Sequence, residues 1–189
     1  MTKSQSPFRP GGRTAEVQRR VFEATSQLLV EGGFAAVTFQ TVAERASVGR
    51  ATLYRRWSDP ATLVASAIRA TAADQIPIPD TGSLCGDLRE ILDTIARFIT
   101  SPLGRASLMA SVSQSGELSK STALNGHWAS RWDEVLPIFT RAVKRGEISD
   151  ALDFEMRFAQ LAGAVYFRVL VMLGPVDEEW LEQLVAEIP

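Results

Sequence analysis

A short cationic segment holds the side chains best suited to chemistry in this chain of 189 residues. Guanidinium groups donate paired hydrogen bonds to guanine edges and to phosphates, and hydroxyl groups donate to phosphate oxygens. Residues 50–56 supply both kinds of group at helical spacing. The side chains that such a helix would present outward are Arg50, Thr52, Tyr54, Arg55 and Arg56. This pattern predicts a surface that binds nucleic acid.

A second helix must hold this segment, and the preceding residues predict one. Thr38 is a suitable N-cap, because its hydroxyl can accept a hydrogen bond from an orphan backbone N–H. No capping box is expected, because Thr41 replaces the usual glutamate or glutamine three residues on. The two helices and the one before them would share a small core of Phe22, Leu28, Leu29, Phe34, Val37, Phe39, Val42, Ala43, Ala46, Val48 and Leu53. Two short helices fixed at an angle can present the second one to the DNA major groove.

This arrangement resembles the DNA-binding part of the TetR family of bacterial transcriptional regulators. The resemblance covers a helix over residues 14–32, the G-G-F step after it, the A-E-R-A-S-V turn, the T-L-Y triplet, Trp57 and the following S-D-P-A-T-L sequence. It implies that Thr52 and Tyr54 contact the DNA backbone or bases and that Thr41 contacts a phosphate. The predicted DNA-binding surface comprises Thr38, Gln40, Thr41, Arg50, Thr52, Tyr54, Arg55 and Arg56.

Two positions depart from the family pattern. Ser47 stands at the turn position that is usually glycine, and a positive φ there would cost about 1 kcal/mol. Gly49 stands where a serine usually caps the second motif helix, and it is a weaker cap by a few tenths of a kcal/mol. Neither departure disrupts the predicted motif.

Charge is distributed unevenly along the chain. Residues 1–58 contain nine Lys and Arg and four Asp and Glu, a net charge of +5, whereas residues 59–189 carry a net charge of −7. A basic N-terminal third on an acidic remainder is typical of a nucleic-acid reader joined to a part that avoids DNA. The alternative, a solvated surface that is merely basic, does not account for the clustering of the charges on one motif.

Helical periodicity without a competing strand pattern predicts an all-α fold of about nine helices. Three form the N-terminal helix-turn-helix domain, and the resemblance implies that the C-terminal helices bind a ligand and form a dimer. The predicted regions are a flexible basic arm (1–13), the DNA-binding domain (14–58), a connecting helix (59–75) and the ligand-binding and dimerisation domain (76–189). The arm could enter a minor groove through Arg9 and Arg13, or it could be an untethered tail.

The C-terminal domain should contain five helices. The first two are expected at 84–101 and from Pro102 to about 113. The third follows the polar stretch at 114–121 and ends at about 145, with Pro137 kinking or splitting it. The last two are expected at 152–173 and 176–188. The fourth is nearly apolar all round, so it should be buried on both sides. One of its faces carries Phe158, Leu161, Val165, Val169 and Met172, and another carries Ala159, Gly163, Phe167, Leu170 and Val171.

The last two helices are the predicted dimer interface, since in the TetR family they form a four-helix contact with a partner subunit. The predicted interface residues are Phe158, Leu161, Ala162, Val165, Val169, Trp180, Leu181, Leu184 and Val185. A two-fold dimer would present two reading helices to successive major grooves, roughly 34–36 Å apart, on a palindromic operator. The alternative is a monomer in which these helices form only the core.

The resemblance also implies a ligand cavity among the C-terminal helices. The predicted lining residues are Phe98, Met109, Trp128, Trp132, Phe139 and Phe167, although aromatic residues at this spacing are more often simple core residues. An apolar or aromatic small molecule is the expected ligand. Arg97, Arg105, Arg131 and His127 are possible partners for an anionic ligand, or ordinary surface groups.

Other functional classes find little support in the sequence. The single histidine, His127, and the single cysteine, Cys85, are not a nucleophile pair, and no cluster has metal-ligand spacing, so neither an enzyme nor a cofactor is expected. No apolar run reaches membrane-spanning length and the first residues do not resemble a signal peptide, which predicts a cytoplasmic protein. Three functions stay open: a ligand-released repressor, a DNA-binding regulator without a small-molecule effector and controlled by a protein partner, and a helical module that no longer reads DNA.

Overall fold

The computed structural model describes residues 12–113 and 122–186, and their side chains except those of residues 13, 111–113 and 122–131. All regular structure in these ranges is helical, which confirms the predicted all-α fold. The α-helices are α1 (Gly12–Gly32), α2 (Phe39–Ala46), α3 (Arg50–Tyr54), α4 (Pro60–Gln75), α5 (Leu84–Thr100), α6 (Pro102–Ser113), α7 (Thr122–Arg145), α8 (Phe154–Tyr166) and α9 (Glu178–Ala186). None of them is long and apolar enough to cross a membrane. Residues 1–11 of the predicted N-terminal arm lie outside the described residues, and residues 12 and 13 are part of α1.

The helix-turn-helix unit, defined here as α1 to α3 with Trp57, surrounds the small core predicted from the sequence. Val42 and Leu53 are fully buried between the helices, and Phe22, Phe34 and Val48 pack partly buried against them. The core also extends beyond the motif, because apolar residues of α4 and α6 belong to the same cluster. The unit is therefore fastened to the rest of the chain by apolar packing.

The start of α2 corrects one prediction, since it does form a capping box. The Thr38 hydroxyl accepts a hydrogen bond from the Thr41 backbone N–H at 3.1 Å, and the Thr41 hydroxyl accepts one from the Thr38 N–H at 3.0 Å. A threonine hydroxyl thus replaces the carboxylate or amide that usually occupies this position. Ser47, which ends α2, has the expected left-handed conformation with φ 52°.

The body, defined here as residues 76–186, is built around α5. Its buried face, which includes Leu88, Ile91 and Leu92, packs against α7, α8 and α9. Helix α6 packs on α5 of the body and also on α1 of the helix-turn-helix unit, so it joins the two parts of the molecule. The turn from α5 into α6 requires Gly104, because a Cβ there would overlap the carbonyl group of Phe98.

Two body helices differ from their predicted form. Helix α7 continues through Pro137 without splitting. The apolar segment at 152–173 forms α8 and then a π-helical turn, Phe167–Val171, before Leu173 adopts a left-handed conformation with φ 52°. This segment is buried on one side only. Phe167 and Val171 are 57% and 64% exposed, because no other described element of the chain covers the face that they share.

The connection between α4 and α5 is fixed to the body by a buried ion pair. The carboxylate of Asp87 on α5 is fully buried and accepts hydrogen bonds from Thr81 and, at 3.0 Å, from the guanidinium of Arg141 on α7. Arg141 also donates to the Pro79 carbonyl. Burial on its own would raise the pKa of Asp87, but the Thr81 N–H and the Arg141 guanidinium hold that pKa below its usual value. The C-terminal end of α4 therefore has a fixed attachment.

Candidate DNA-binding surface and body cavity

The presented face of α3 carries two arginines that are available to a ligand. The side chains of Arg50 and Arg55 are exposed, and neither pairs with another residue in the described part of the chain. Thr52 lies between them, half-buried. Gly49 begins this helix with no side-chain cap, as expected. The two free guanidinium groups make this face suitable for contacts with base edges or phosphates.

Tyr54 lies at the edge of this face with a fixed orientation. Its ring is 65% exposed, yet it packs edge-to-face on the buried Phe39, with the ring centroids 4.7 Å apart. Phe39 is the first residue of α2, so this contact joins the start of α2 to the end of α3. The phenol group is consequently oriented by both motif helices and is open to solvent.

Arg56 has a different environment from the other two arginines of the segment. Its guanidinium donates a hydrogen bond to Gln18 on α1 at 3.0 Å and lies 5.4 Å from the centre of the Trp57 indole ring. Trp57 is buried, and its indole N–H donates to Ser66 on α4. Arg56 is exposed, as an outward group would be, and it also joins α1 to the end of the motif.

The start of α2 presents the remaining predicted residues. Thr38 and Gln40 are exposed, and Gln40 donates a hydrogen bond to Glu44 one turn on. Thr41 is half-buried, and its hydroxyl donates to the carbonyl of Ala36 at 2.8 Å. A phosphate oxygen is an acceptor, so the Thr41 hydroxyl would have to exchange its present acceptor to bind one.

Sequence reasoning missed a clamp on the turn of the motif. Arg20 on α1 donates through Nε to the carbonyl of Ala46 at 3.0 Å and through Nη2 to that of Ser47 at 2.8 Å. These are the last carbonyls of α2, which lack partners within the helix. The available signal was a cation inside an apolar stripe, since Arg20 lies between Val17 and Ala24 at helical spacing. A second tie, from Arg45 to Glu31 of α1 at 2.6 Å, supports the same turn.

A cavity of about 250 Å³ lies between α4, α5, α7 and α8. Its described lining is mostly apolar and aromatic, with one carboxylate: Ile68, Ala72, Ile76, Ile95, Phe98, Trp132, Val135, Glu155, Phe158, Ala159, Ala162 and Tyr166. Leu63 and Val64, nearer the start of α4, are buried in the core of the helix-turn-helix unit, and Ile68 belongs to both that core and the cavity wall. A single helix thus contacts the cavity and the DNA-binding part.

The predicted lining residues have different positions. Phe98 and Trp132 lie on the cavity wall. Phe139 is fully buried in the body core, 6.0 Å from the Trp132 ring. Met109 and Phe167 are exposed and do not line this cavity, because they lie on outer faces of α6 and of the π-helical turn. The side chains of Trp128, His127 and Arg131 lie outside the described residues.

The residues of the predicted dimer interface also take part in the core of their own subunit. Five of its nine residues are buried inside their own subunit: Leu161, Val165, Val169, Leu181 and Val185. The other four, Phe158, Ala162, Trp180 and Leu184, are partly buried against the same core. Phe158 and Ala162 also line the cavity. The apolar face that remains open includes Met156, Phe167 and Val171, together with Gly163, where a Cβ would meet open space.

A basic helix-turn-helix unit on an acidic helical body defines a DNA-binding regulator. Comparison with known proteins identifies the family of regulators to which the chain belongs. The chain matches the model for bacterial regulatory proteins of the tetR family over residues 21–67 and the model for the tetracyclin repressor-like C-terminal domain over residues 78–188. The chain belongs to the TetR family of transcriptional regulators, whose members bind DNA and are not enzymes.

Relatives and solved structures agree with this assignment along most of the chain. The uncharacterized HTH-type transcriptional regulator YdeS of Bacillus subtilis (strain 168) is 30% identical, covering 92% of this chain and 88% of its own. The HTH-type transcriptional regulator AqdR of Rhodococcus erythropolis is also 30% identical, over 83% and 76% of the two chains. The crystal structure of the TetR family transcription regulator SCO0332 superposes with a TM-score of 0.71 at 29% identity, covering 90% and 95%.

Proposed function

We propose that the protein is a homodimeric repressor that binds a palindromic operator and is released when a small molecule occupies the body cavity. The observation that carries this proposal is the double role of α4. Ile68 is shared by the core of the helix-turn-helix unit and the cavity wall, and Ala72 and Ile76 continue that wall. A ligand that displaces α4 therefore acts directly on the part that binds DNA.

The division of roles on the DNA-binding surface follows from the contacts of each side chain. Arg50 and Arg55 are the base-reading candidates, because their guanidinium groups are exposed and unpaired among the described residues. Each is expected to contribute about 1–3 kcal/mol of discrimination if it binds a base edge in a bidentate manner. Tyr54, Thr38 and Gln40 lie beside them and would contact the phosphate backbone, which fixes the register without reading sequence.

Dimerisation is supported by the open apolar face of α8 and the π-helical turn. Met156, Phe167 and Val171 are each more than half exposed, and they lie on one side of the segment with Gly163. Single exposed apolar residues are ordinary, but a continuous face of this kind marks an interaction site. Glycine permits two helices to approach closely at the centre of the contact. A two-fold copy of the same face would bury it and pair the two reading helices.

Release by a ligand requires a difference in affinity between two conformations. The ligand must bind the conformation that cannot bind the operator more tightly than the one that can, and that difference is the coupling free energy. The fixed attachment of the Pro79–Thr81 connection by Asp87 and Arg141 anchors one end of α4 in the body. Expansion of the cavity would then move the other end, which packs in the helix-turn-helix unit.

Selection from a random DNA library by the purified protein near physiological salt tests the DNA-binding half of the proposal. The expected result is a palindromic consensus with half-sites about one helical turn apart. Arg55→Ala should relax the preference at particular base pairs, whereas Tyr54→Ala should weaken binding to all sequences equally. Enrichment that disappears with modest added salt would reveal phosphate contact alone and would contradict a sequence-specific repressor.

A thermal-melting screen with small molecules tests the other half. A compound that raises the melting temperature and displaces the selected operator supports ligand release. Compounds that bind the cavity and leave the protein on its operator would contradict it and would favour regulation by a protein partner. Ala162→Phe, which fills the cavity from α8, is the matched control, because it should abolish the shift caused by a true cavity ligand.

A further inference from the structure

We infer that the effector is a hydrophobic organic cation. This inference rests on the proposed function, in which the cavity between α4, α5, α7 and α8 binds an effector. The aromatic rings of Phe98, Trp132, Phe158 and Tyr166 and the carboxylate of Glu155 line the same cavity. Aromatic faces and a carboxylate both attract positive charge, and together they form a site that a cation with an apolar body fits.

Glu155 is the only charged residue among the described residues that line the cavity. It lies on the cavity side of α8, at the same helical angle as Ala162 and Tyr166. No described cation forms an ion pair with its carboxylate; the nearest arginine in sequence, Arg157, donates to Gln160 instead. The cavity therefore has a negative charge at its wall that no described residue neutralises.

Four aromatic residues line the same cavity as the exposed Glu155 side chain. Trp132 and Phe158 pack together at a centroid distance of 6.2 Å with their planes tilted by 41°, so they do not stack face to face over each other. Together with Phe98 and Tyr166, they form the aromatic part of the cavity lining. The negative face of an aromatic ring stabilises a cation most strongly where water is excluded.

Among the described lining residues, no cation would compensate the repulsion between Glu155 and an anionic effector. Of the arginines that the sequence offers as partners for an anion, Arg97 forms an ion pair with Asp93 at 2.8 Å on the outer side of α5, and Arg105 is exposed on α6. Neither lines the cavity. Discrimination between effectors would thus include rejection of carboxylates as well as attraction of cations.

The size of the cavity limits the effector to a compact molecule. A volume of about 250 Å³ corresponds to roughly eight water molecules at liquid density. That is enough for one aromatic ring and a short substituted amine. Benzyltrimethylammonium is a suitable probe. Neopentylbenzene is its uncharged isostere, with carbon in place of the nitrogen, and 4-phenylbutyrate is an anion of comparable size.

Calorimetric titration of the full chain with these three probes tests the inference. We expect benzyltrimethylammonium to bind about 5- to 30-fold more tightly than neopentylbenzene, and both to bind more tightly than 4-phenylbutyrate. Glu155→Gln should remove most of the preference for the cation and change the affinity of neopentylbenzene by less than about twofold. Glu179→Gln is the matched control, because Glu179 is also an exposed glutamate in the first turn of a helix but lies far from the cavity on α9. It should keep the full preference.

Tighter binding of the anion, no measurable binding of the cation, or an unchanged preference in Glu155→Gln would each overturn the inference. A second measurement separates this inference from the proposed function. Fluorescence anisotropy monitors whether each of the same probes displaces the protein from the selected operator. A cation that binds through Glu155 but leaves the operator bound supports the ligand class and contradicts ligand release. A neutral compound that releases the operator, beside a cation that does not bind, supports release and overturns the ligand class.

Discussion

Replacement of Arg20 by methionine should loosen the turn of the helix-turn-helix motif. The guanidinium of Arg20 bonds the last two carbonyls at the end of α2, those of Ala46 and Ser47. Methionine retains an apolar stem of similar length, so the change removes the donors with little loss of packing. The turn would then depend on its local hydrogen bonds, and on a serine in a conformation that favours glycine.

The size of the effect follows from these contacts. Hydrogen bonds from a charged donor contribute about 1.5–3 kcal/mol where water is excluded, but Arg20 is half-buried and water can partly replace it. We therefore expect the free energy of unfolding to fall by about 1–2 kcal/mol. If a displaced turn becomes populated at half to nine-tenths, the dissociation constant for the operator would rise about two- to tenfold.

Arg19→Met is the control that separates the effect of losing the Arg20 contacts from the effect of losing a positive charge. Arg19 is the neighbouring residue on α1 and pairs with Glu16 and Glu23 on the exposed side of that helix. Both variants lose one positive charge, so both should lose affinity for random duplex DNA to the same small extent. Denaturant unfolding gives the stabilities, and fluorescence anisotropy on the operator and on random duplex gives the affinities at several salt concentrations.

A specific role for Arg20 requires a difference between the two variants. Arg20→Met should lose operator affinity beyond the loss on random DNA, with an unchanged salt dependence, and Arg20→Lys should be intermediate because an ammonium cannot span two carbonyls as a guanidinium does. Equal losses in Arg20→Met and Arg19→Met would show that only charge matters. An unchanged stability in Arg20→Met would show that the clamp does not hold the turn.

Three further predictions concern the body. Gly104→Ala should destabilise the fold by about 1–3 kcal/mol in urea, since its Cβ would overlap the Phe98 carbonyl. Gly12→Ala, with open space at its Cβ and outside the proposed dimer contact, should not, and equal effects would contradict the packing of α6 on α5. The pKa of Asp87 is lowered in the folded state, so the unfolded chain binds this proton first as the pH falls. The free energy of unfolding should therefore fall as the pH drops below about 4. Asp87→Asn has no such proton to bind, so its free energy of unfolding should depend less on pH in this range. Phe167→Asp should shift the protein from dimer to monomer in sedimentation velocity, and a persistent dimer would place the interface elsewhere.

Local chemistry explains why much of the fold could be predicted from the sequence. The connecting helix predicted at 59–75 is α4, which begins at Pro60 after Asp59, because a carboxylate cap and a ring-fixed φ act over a single turn. The apolar stripe of α5 and the break at 76–83 were equally visible. The capping box at Thr38 was missed, since the usual rule asks for a longer side chain than threonine at the third position.

The contacts that position the DNA-binding surface could not be predicted from the sequence, because they join residues far apart in the chain. Arg20 reaches Ser47, and Gln18 reaches Arg56. The sequence shows Arg20 as a cation within an apolar stripe, but it does not show which carbonyl groups that cation reaches. These contacts depend on the angle between α1 and the motif helices, which no spacing within the sequence specifies.

The two faces of α8 show a limit of a different kind. Hydrophobic periodicity identifies a face that avoids water, but it does not say whether the chain or a second copy covers that face. In the folded chain the branched residues Leu161, Val165 and Val169 pack on α5 and α7, which leaves Phe167 and the small Gly163 toward solvent. The proposed two-fold contact on that open face would set the distance between two α3 helices. Operator spacing would then depend on apolar residues of the body, while Arg50 and Arg55 determine which bases are read. Substitutions on α8 should therefore change the preferred half-site spacing without changing the half-site sequence.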